Sequence, residues 1–268
     1  MHLVDSHCHL GKFAREGTLD AVLERAAGAG VGTLVCVGTG PEDWAPYRAL
    51  AVAHAGRVHH TAGLHPCSVE PESWRAAVDA LPACFHANDG PKPVALGEIG
   101  LDYFHLPKGD PPRAAVLREA QLAAFRAQLA LAGALGAPVI IHSREAFDDC
   151  VAEIDASGVD WRRVVFHCFS EGAARMRELL ERGGRASFTG VLTYPSARDV
   201  REAALAQGLG RFVLETDSPY LAPQPVRGKT NEPAHLLHTA RFAAELFGVS
   251  LEKIAETTTS AAREFYGI

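Results

Sequence analysis

The sequence contains no long hydrophobic run and no excess of basic residues. Its apolar stretches, such as Leu34–Val37 and Val164–Phe166, are far shorter than the roughly 18 residues that a membrane helix needs. The 26 Lys and Arg residues stand against 32 Asp and Glu residues, for a net charge of −6. A protein that grips duplex DNA by neutralising many phosphates is more basic than this. The balance still permits a nucleic-acid enzyme whose positive charge comes from bound metal ions.

Cysteine is present, but without the spacing of a redox or zinc motif. None of the six cysteines belongs to a C-x-x-C pair. The first residues, Met1–Asp5, also lack the basic segment and the following apolar segment of a signal peptide. We therefore expect a cytoplasmic protein with free thiols, no membrane association and no obligate protein partner.

Short apolar runs alternate with helix-like segments along the whole chain. Its 268 residues are 47% hydrophobic and 22% charged, which suits one large globular domain or two small ones. Eight apolar or β-branched runs recur, namely His2–His9, Gly32–Gly38, Val58–His65, Val94–Asp102, Pro138–His142, Val164–His167, Arg185–Val191 and Phe212–Asp217. The intervening segments of helical character include Ala114–Ala134, Asn231–Phe247 and Ser250–Tyr266.

This alternation predicts parallel strands joined by crossover helices. Eight units in 268 residues favour a (β/α)8 TIM barrel over an open sheet, which needs fewer strands. We therefore expect an α/β protein in which residues 1–268 form a single barrel domain. Active sites of such barrels lie where the carboxyl ends of the strands meet.

Polar side chains with metal-binding capacity stand at or near the carboxyl ends of six of these runs. They are His7 and His9, His65, Glu98 and Asp102, His142, His167, and Asp217. Because side chains alternate along a strand, His7 and His9 should point to one side and Cys8 to the other. Any one of these residues alone is commonplace, and a lone H-x-H can arise by chance. Their joint placement at strand ends indicates a metal site.

The type of side chain narrows the chemistry of that site. Imidazoles and carboxylates without thiolates suit Zn²⁺, Mn²⁺, Ni²⁺ or Co²⁺, and Mg²⁺ with lower affinity. Four of these histidines and two of these carboxylates already exceed what one tetrahedral ion needs, so two divalent ions that share a bridging carboxylate are expected. Glu98 lies in an apolar run, where an unpaired carboxylate is costly unless a cation accompanies it. Paired ions of this kind are a common device for hydrolysing phosphoesters.

A second group of polar residues follows the last run. Arg227 and Lys229 are cations close in sequence to the metal site and are suited to binding a phosphate. The alternative is purely structural, a long loop with Asn231 as a helix cap and Pro233 in the first helical turn.

The sequence resembles the TatD family of metal-dependent hydrolases, often described as TatD-type deoxyribonucleases. The matching stretches are Asp5–Leu10, Gly63–Pro66, Gly97–Tyr103, Gln121–Leu129, Ile141–Arg144, His167–Ser170, Glu215–Pro223, Arg227–Lys229 and Asn231–Pro233. They span nearly the whole chain, and the stretches around Glu98 and Asp217 are the most specific. Two positions depart from the family pattern, Cys67 after His65-Pro66, and Thr230 where Arg is expected.

The resemblance implies a barrel that hydrolyses phosphodiesters in DNA, often from the 3′ end. By position, His7, His9 and Asp217 would hold one ion, His142 and His167 the other, and Glu98 would bridge them. Asp217 would also orient or deprotonate the attacking water, with Glu98 and His65 completing the catalytic group. The expected substrate contacts are His65, Asp102, Tyr103, Arg227, Lys229 and Asn231.

We therefore expect an exodeoxyribonuclease that acts on single-stranded or frayed 3′ ends with two divalent ions. One alternative is an amidohydrolase or esterase of the same barrel type, acting on a small amide or on the ester of aminoacyl-tRNA. The other alternative is a metal-binding barrel without catalytic activity.

Overall fold

The computed structural model describes all residues from Met1 to Ile268, and the chain forms two compact units. The first unit comprises Met1–Cys36, His54–His59 and His167–Ile268. The second unit comprises Val37–Ala53 and His60–Phe166. The expectation of a single domain over residues 1–268 stays a prediction.

The chain has eight strands, and each overlaps one of the eight predicted runs, so the predicted alternation is confirmed. They are β1 Leu3–Cys8, β2 Val31–Cys36, β3 Val58–His60, β4 Leu96–Asp102, β5 Val139–Arg144, β6 Val164–Phe166, β7 Arg185–Phe188 and β8 Val213–Leu214. Several are shorter than the runs. His65, His167 and Asp217 therefore lie in the segments that follow β3, β6 and β8 rather than in the strands themselves.

Ten helices accompany the strands. They are α1 Gly11–Arg15, α2 Leu19–Gly28, α3 Pro41–Ala53, α4 Trp74–His86, α5 Pro111–Leu135, α6 Phe147–Ser157, α7 Ala173–Arg182, α8 Arg198–Gln207, α9 Leu236–Phe247 and α10 Leu251–Tyr266. None has both the length and the apolar character required to cross a membrane. Ser250 caps α10 by accepting a hydrogen bond from the Lys253 backbone N–H at 3.2 Å. Asn231 caps no helix, because the turn Pro233–His235 intervenes before α9.

In the first unit, the buried strand β1 lies between two parallel neighbours, strand β2 and the segment after β8. β1 pairs with β2, from Leu3 opposite Val31 to Cys8 opposite Cys36, and β7 pairs with β8. A further parallel bridge joins Cys8 to Ser218, beyond β8. All six residues of β1 are buried, although three of them, Asp5–His7, are polar. Buried polar groups need partners, and the segment after β8 supplies them to Asp5 and His7.

In the second unit, β4, β5 and β6 form a parallel ladder. Leu96 of β4 lies opposite Val139 and Asp102 opposite Arg144, while Val139 of β5 lies opposite Val164. A bridge between Ala62 and Leu96 extends the ladder beyond β4.

Two glutamines of α5 hydrogen-bond to the backbone at strand ends, as a neighbouring strand would. Gln128 accepts from the Leu64 N–H at 2.8 Å and donates to the Leu64 carbonyl at 3.1 Å. Gln121 likewise accepts from the Asp102 N–H at 3.0 Å and donates to the Asp102 carbonyl at 3.2 Å. Both glutamine side chains are buried. Through these bonds α5 holds the backbone at Asp102 and next to His65.

Candidate metal-binding sites

The first unit brings four of the predicted ligands together. The buried His7 ring stacks on His167 with the ring centroids 4.1 Å apart. Nε2 of His7 lies 3.2 Å from Nε2 of His9, as the shared strand face predicts. Oδ1 of Asp217 lies 3.3 Å from His9 Nε2 and 3.7 Å from His7 Nε2.

Glu215 also belongs to this group, although sequence reasoning did not assign it a role. Its Oε1 lies 3.4 Å from His167 Nδ1 and accepts a hydrogen bond from the Cys168 backbone N–H at 2.7 Å. Ligand atoms of His7, His167 and Glu215 all lie within 4.8 Å of one another. The signal that could have found Glu215 is its two-residue spacing from Asp217. We call His7, His9, His167, Glu215 and Asp217 the first cluster.

The segment that carries Asp217 is fixed by hydrogen bonds on both sides. Thr216 donates to the buried carboxylate of Asp5 from its backbone N–H at 2.9 Å and from its hydroxyl at 2.6 Å. Burial raises the pKa of Asp5 to about 7 in spite of these two bonds. From the other side, the Asn231 amide donates to the carbonyls of Thr216 at 2.9 Å and Tyr220 at 2.6 Å.

Asn231 thus has a structural role in holding this segment. Its side-chain oxygen accepts from the Glu232 N–H at 3.0 Å and lies 3.1 Å from His235 Nδ1. With the amide nitrogen used as well, and no exposed surface, its hydrogen-bonding groups are all occupied within the chain. Nothing in this arrangement favours the predicted substrate contact.

Asp217 is surrounded by three histidines. Burial by itself would raise the pKa of its carboxyl group, but the hydrogen bond with His9 and the nearby His7 and His167 outweigh it and lower the pKa. Asp217 is therefore a carboxylate near neutral pH, the form in which it can bind a cation or accept a proton.

The second unit forms another group of ligand side chains around Glu98. This residue lies in the fully buried strand β4. Its Oε1 lies 2.8 Å from His142 Nδ1 and 3.4 Å from His65 Nε2, and the ligand atoms of the three residues lie within 4.8 Å of one another. We call His65, Glu98 and His142 the second cluster.

Close contact between two strands allows this pairing. Gly100 of β4 has a φ of +138°, and a Cβ there would lie 2.0 Å from the His142 carbonyl oxygen. Only glycine accommodates that conformation and that distance. The Gly-Glu-Ile-Gly stretch therefore lets β4 approach β5 closely enough for Glu98 to meet His142.

The other nitrogen of His142 contacts a second carboxylate. Nε2 lies 2.9 Å from Oδ2 of Asp102. Burial by itself would raise the pKa of this carboxyl group. The contacts with His142 and His105 outweigh burial and hold the pKa of Asp102 below its usual value. A histidine that donates one N–H to a carboxylate and binds a metal through the other nitrogen is a common arrangement in metalloproteins. This geometry leaves Nδ1 as the ligand atom, on the side of Glu98.

His65 presents a hydrogen-bond donor rather than a lone pair to the second cluster. The backbone N–H of Cys67 donates to its Nδ1 at 3.0 Å. In neutral imidazole the ring hydrogen must then be on Nε2, the atom that faces Glu98. A nitrogen that carries hydrogen does not bind a metal, so His65 is suited to contacting an anionic substrate.

The remaining predicted substrate residues make contacts of other kinds. The Tyr103 hydroxyl donates to Asp149 at 2.6 Å, and Arg118 stacks 4.4 Å above the Tyr103 ring. The guanidinium of Arg227 lies 4.2 Å from the ring centroid of Tyr194. Both Arg227 and Lys229 are exposed.

Cys8 lies between two members of the first cluster in sequence but not in space. Its thiol is fully buried and donates to the Val35 carbonyl at 3.4 Å. This placement agrees with the alternation of side chains along β1.

A family model described as TatD related DNase matches residues 4–267. The chain is 35% identical to an uncharacterized metal-dependent hydrolase, YcfH, of Escherichia coli K12, over 97% of this chain and 93% of that protein. It is 32% identical to a protein of Erwinia amylovora named 3′-5′ ssDNA/RNA exonuclease TatD, over 93% of each chain.

A solved structure shows the same likeness in three dimensions. The crystal structure of YjjV, a TatD homologue from Escherichia coli K12, superposes with a TM-score of 0.82 at 29% identity, covering 99% of this chain and 98% of that one. The predicted α/β class of the (β/α)8 barrel type is thereby confirmed.

Proposed function

Because the chain belongs to the TatD-related DNase family of metal-dependent hydrolases, we propose that it removes nucleotides from 3′ ends of single-stranded or frayed DNA. The observation that carries the proposal is the set of ligand side chains, imidazoles and carboxylates without a thiolate, gathered in the first and second clusters. The activity for which the Erwinia amylovora relative is named supports the choice of substrate and of direction.

Each cluster fits a divalent cation by the chemistry of its donors. In the first cluster His7, His9 and Asp217 would hold one ion, with His167 and Glu215 beside them. In the second cluster Glu98 and Nδ1 of His142 would hold the other. That Glu98 bridges both ions, and that His167 joins His142, stay predictions from the family resemblance. Bound divalent ions supply a water of lowered pKa and positive charge for the phosphate oxygens.

The chain's own residues orient the reaction. Asp217 is ionised and can accept the proton of the attacking water. His65 offers its Nε2–H to a phosphate oxygen, and Asp102 holds His142 in the orientation that directs Nδ1 towards Glu98. Arg227 and Lys229 provide exposed cations for a neighbouring phosphate.

The test is hydrolysis of a 5′-labelled oligonucleotide by the metal-stripped protein, reconstituted separately with Mg²⁺, Mn²⁺, Zn²⁺, Ni²⁺ or Co²⁺. We expect a ladder that shortens from the 3′ end, only with metal, and slowing at least tenfold when the last 3′ linkages are phosphorothioates. His9→Ala should abolish the ladder. His86→Ala, a change at an exposed histidine of α4, should not.

Three results would contradict the proposal. Cleavage of a circular single strand would show attack that needs no end. Hydrolysis of aminoacyl-tRNA or of a small amide, with DNA left intact, would identify a carboxyl ester or an amide as the substrate. Stoichiometric metal binding without hydrolysis of any of these would indicate a binding protein.

A further inference from the structure

A third group of ligand side chains lies in the second unit beyond the second cluster. Cys67 follows β3 in the turn Pro66–Ser68, and His105 follows β4. The Cys67 Sγ lies 3.6 Å from Oδ2 of Asp102 and 3.8 Å from Nδ1 of His105, and these last two atoms are 2.8 Å apart. We call Cys67, Asp102 and His105 the Cys67 cluster.

We propose that the Cys67 cluster binds a zinc ion through one thiolate, one imidazole nitrogen and one carboxylate oxygen, with water as the fourth ligand. Standard Zn–S, Zn–N and Zn–O bonds in a tetrahedron place sulfur about 3.5 Å from each of the other two ligand atoms. The two sulfur distances in the structure are 3.6 Å and 3.8 Å, which match that spacing. The nitrogen and oxygen, now 2.8 Å apart, need to separate by roughly half an ångström.

The accessibility of the three side chains suits an ion that arrives from solvent. His105 is 53% exposed, whereas Asp102 is 1% exposed. Cys67 is also exposed. A buried carboxylate thus forms the base of the site, and the two exposed ligands can adjust around an ion without displacing the core. On binding, the Cys67 thiol releases its proton to water, and the ring hydrogen of His105 moves through solvent from Nδ1 to Nε2, so that Nδ1 can bind the ion.

The carboxylate at the base is already held in position. Its Oδ1 accepts from the His105 backbone N–H at 2.9 Å, and Gln121 fixes the Asp102 backbone. Three groups converge on Oδ2 alone, since His142 Nε2 lies 2.9 Å from it in addition to the contacts from Cys67 and His105. A buried carboxylate held in this way supplies negative charge that can compensate a bound cation.

Sulfur distinguishes this site from the ions assigned to hydrolysis. Neither of the other clusters contains a cysteine, and Mg²⁺ and Mn²⁺ favour oxygen ligands, so the Cys67 cluster should select zinc or cobalt. A thiolate-to-cobalt charge-transfer band in the near ultraviolet therefore reports on this site alone.

The experiment titrates metal-free, reduced, full-length protein with Co²⁺ and records the absorption spectrum. We expect the sulfur band to appear and saturate at one equivalent. Cys67→Ser should remove the band, and bound zinc after gel filtration should fall by one ion per chain. His105→Gln should weaken binding at least tenfold. Cys84→Ser, a matched change at a partly exposed thiol of α4, should alter nothing.

Either of two results would contradict the proposed zinc site. One is the absence of a sulfur band in the native protein at excess cobalt. The other is a band that persists in Cys67→Ser, which circular dichroism should show to be folded. None of these readouts uses hydrolysis, so the zinc site and the proposed nuclease activity succeed or fail separately.

Discussion

At the scale of single residues, Glu98 is the most informative position in the chain. It is a carboxylate in a fully buried strand and contacts two histidines. Glu98→Gln keeps its shape but removes the charge that compensates a cation. Since losing an outer partner of a metal ligand already costs about 10–100-fold, we expect hydrolysis to fall by more than about 100-fold. Metal content after desalting should also fall.

The matched control for Glu98→Gln is Glu256→Gln, which removes a carboxylate from the exposed face of α10. Unchanged metal content and near-native turnover in Glu98→Gln would rule out a role for Glu98 in metal binding.

Asp102 is a positioning residue in the proposed mechanism, because it acts through His142. Asp102→Asn removes the charge that fixes the imidazole, so kcat should fall by about 10–100-fold with little change in KM. Steady-state kinetics at saturating metal measure kcat and KM separately. Asp149→Asn, a carboxylate that contacts Tyr103 and Arg118 instead, is the control and should leave kcat unchanged. An equal effect in both variants would mean that the loss at Asp102 is structural.

At the scale of elements, the glutamines of α5 connect a helix to the strand ends that carry the second cluster. Gln128→Leu leaves the N–H and the carbonyl of Leu64 without partners in a buried environment. Each unsatisfied group costs about 1–3 kcal/mol, so the free energy of unfolding should fall by that amount for each of the two groups. Urea denaturation measures the loss.

The control for Gln128→Leu is a leucine at Glu119, which lies exposed on the same helix. It changes hydrophobicity without breaking a backbone contact. If both variants unfold at the same urea concentration as the native protein, the glutamine bonds contribute nothing to stability.

At the scale of the whole molecule, metal removal should lower thermal stability. The first cluster joins residues as distant in sequence as His7 and Asp217, so the unfolded chain cannot reproduce it. Metal at 100 times its dissociation constant stabilises a folded protein by about 2.7 kcal/mol. For a chain of this size we expect a rise in Tm of roughly 5–10 °C on adding metal to chelated protein.

Differential scanning calorimetry with and without chelator measures that shift, and His7→Ala should reduce it. Identical melting temperatures in chelator and in saturating metal would show that the folded chain does not bind the ion preferentially.

The number of phosphates that the protein contacts sets the salt dependence of substrate use, and a chain of net charge −6 offers few cations for such contacts. The exposed cations named for the substrate are Arg227 and Lys229, so few phosphates should be neutralised. Two or three contacts to a single strand predict a log–log slope of kcat/KM against salt of about −1.4 to −2. Kinetics across a salt series at fixed metal measure it. A much steeper slope would require an extended DNA-binding groove.

Part of the fold and part of the candidate site could be predicted from the sequence. The eight strands were predictable because burial of parallel strands produces apolar runs that are read locally. The placement of His7 and His9 on one side followed from the two-residue period of a strand, and the metal chemistry from residue types at strand ends. Pattern alone also located Asp217 and Glu98.

Other features depended on backbone conformation and on contacts between distant segments. Asp217 has a φ of +53°, a value that no local pattern specifies, and its position beside His9 comes from Thr216 bonding to Asp5. The structural role of Asn231 could likewise not be predicted, because only the folded chain brings its amide to the carbonyls that it binds, such as that of Thr216.

The sequence by itself therefore determined the alternation of strands and helices and the kinds of ligand that the chain carries. Both are local properties, set by side-chain hydrophobicity and chemical type. The tertiary structure decided which nitrogen of His142 faces Glu98, that Glu215 joins His167, and that Cys67 meets His105. Those outcomes depend on distances of a few ångströms between residues of strands and loops that are far apart in sequence, and only the packing of strands and helices sets such distances.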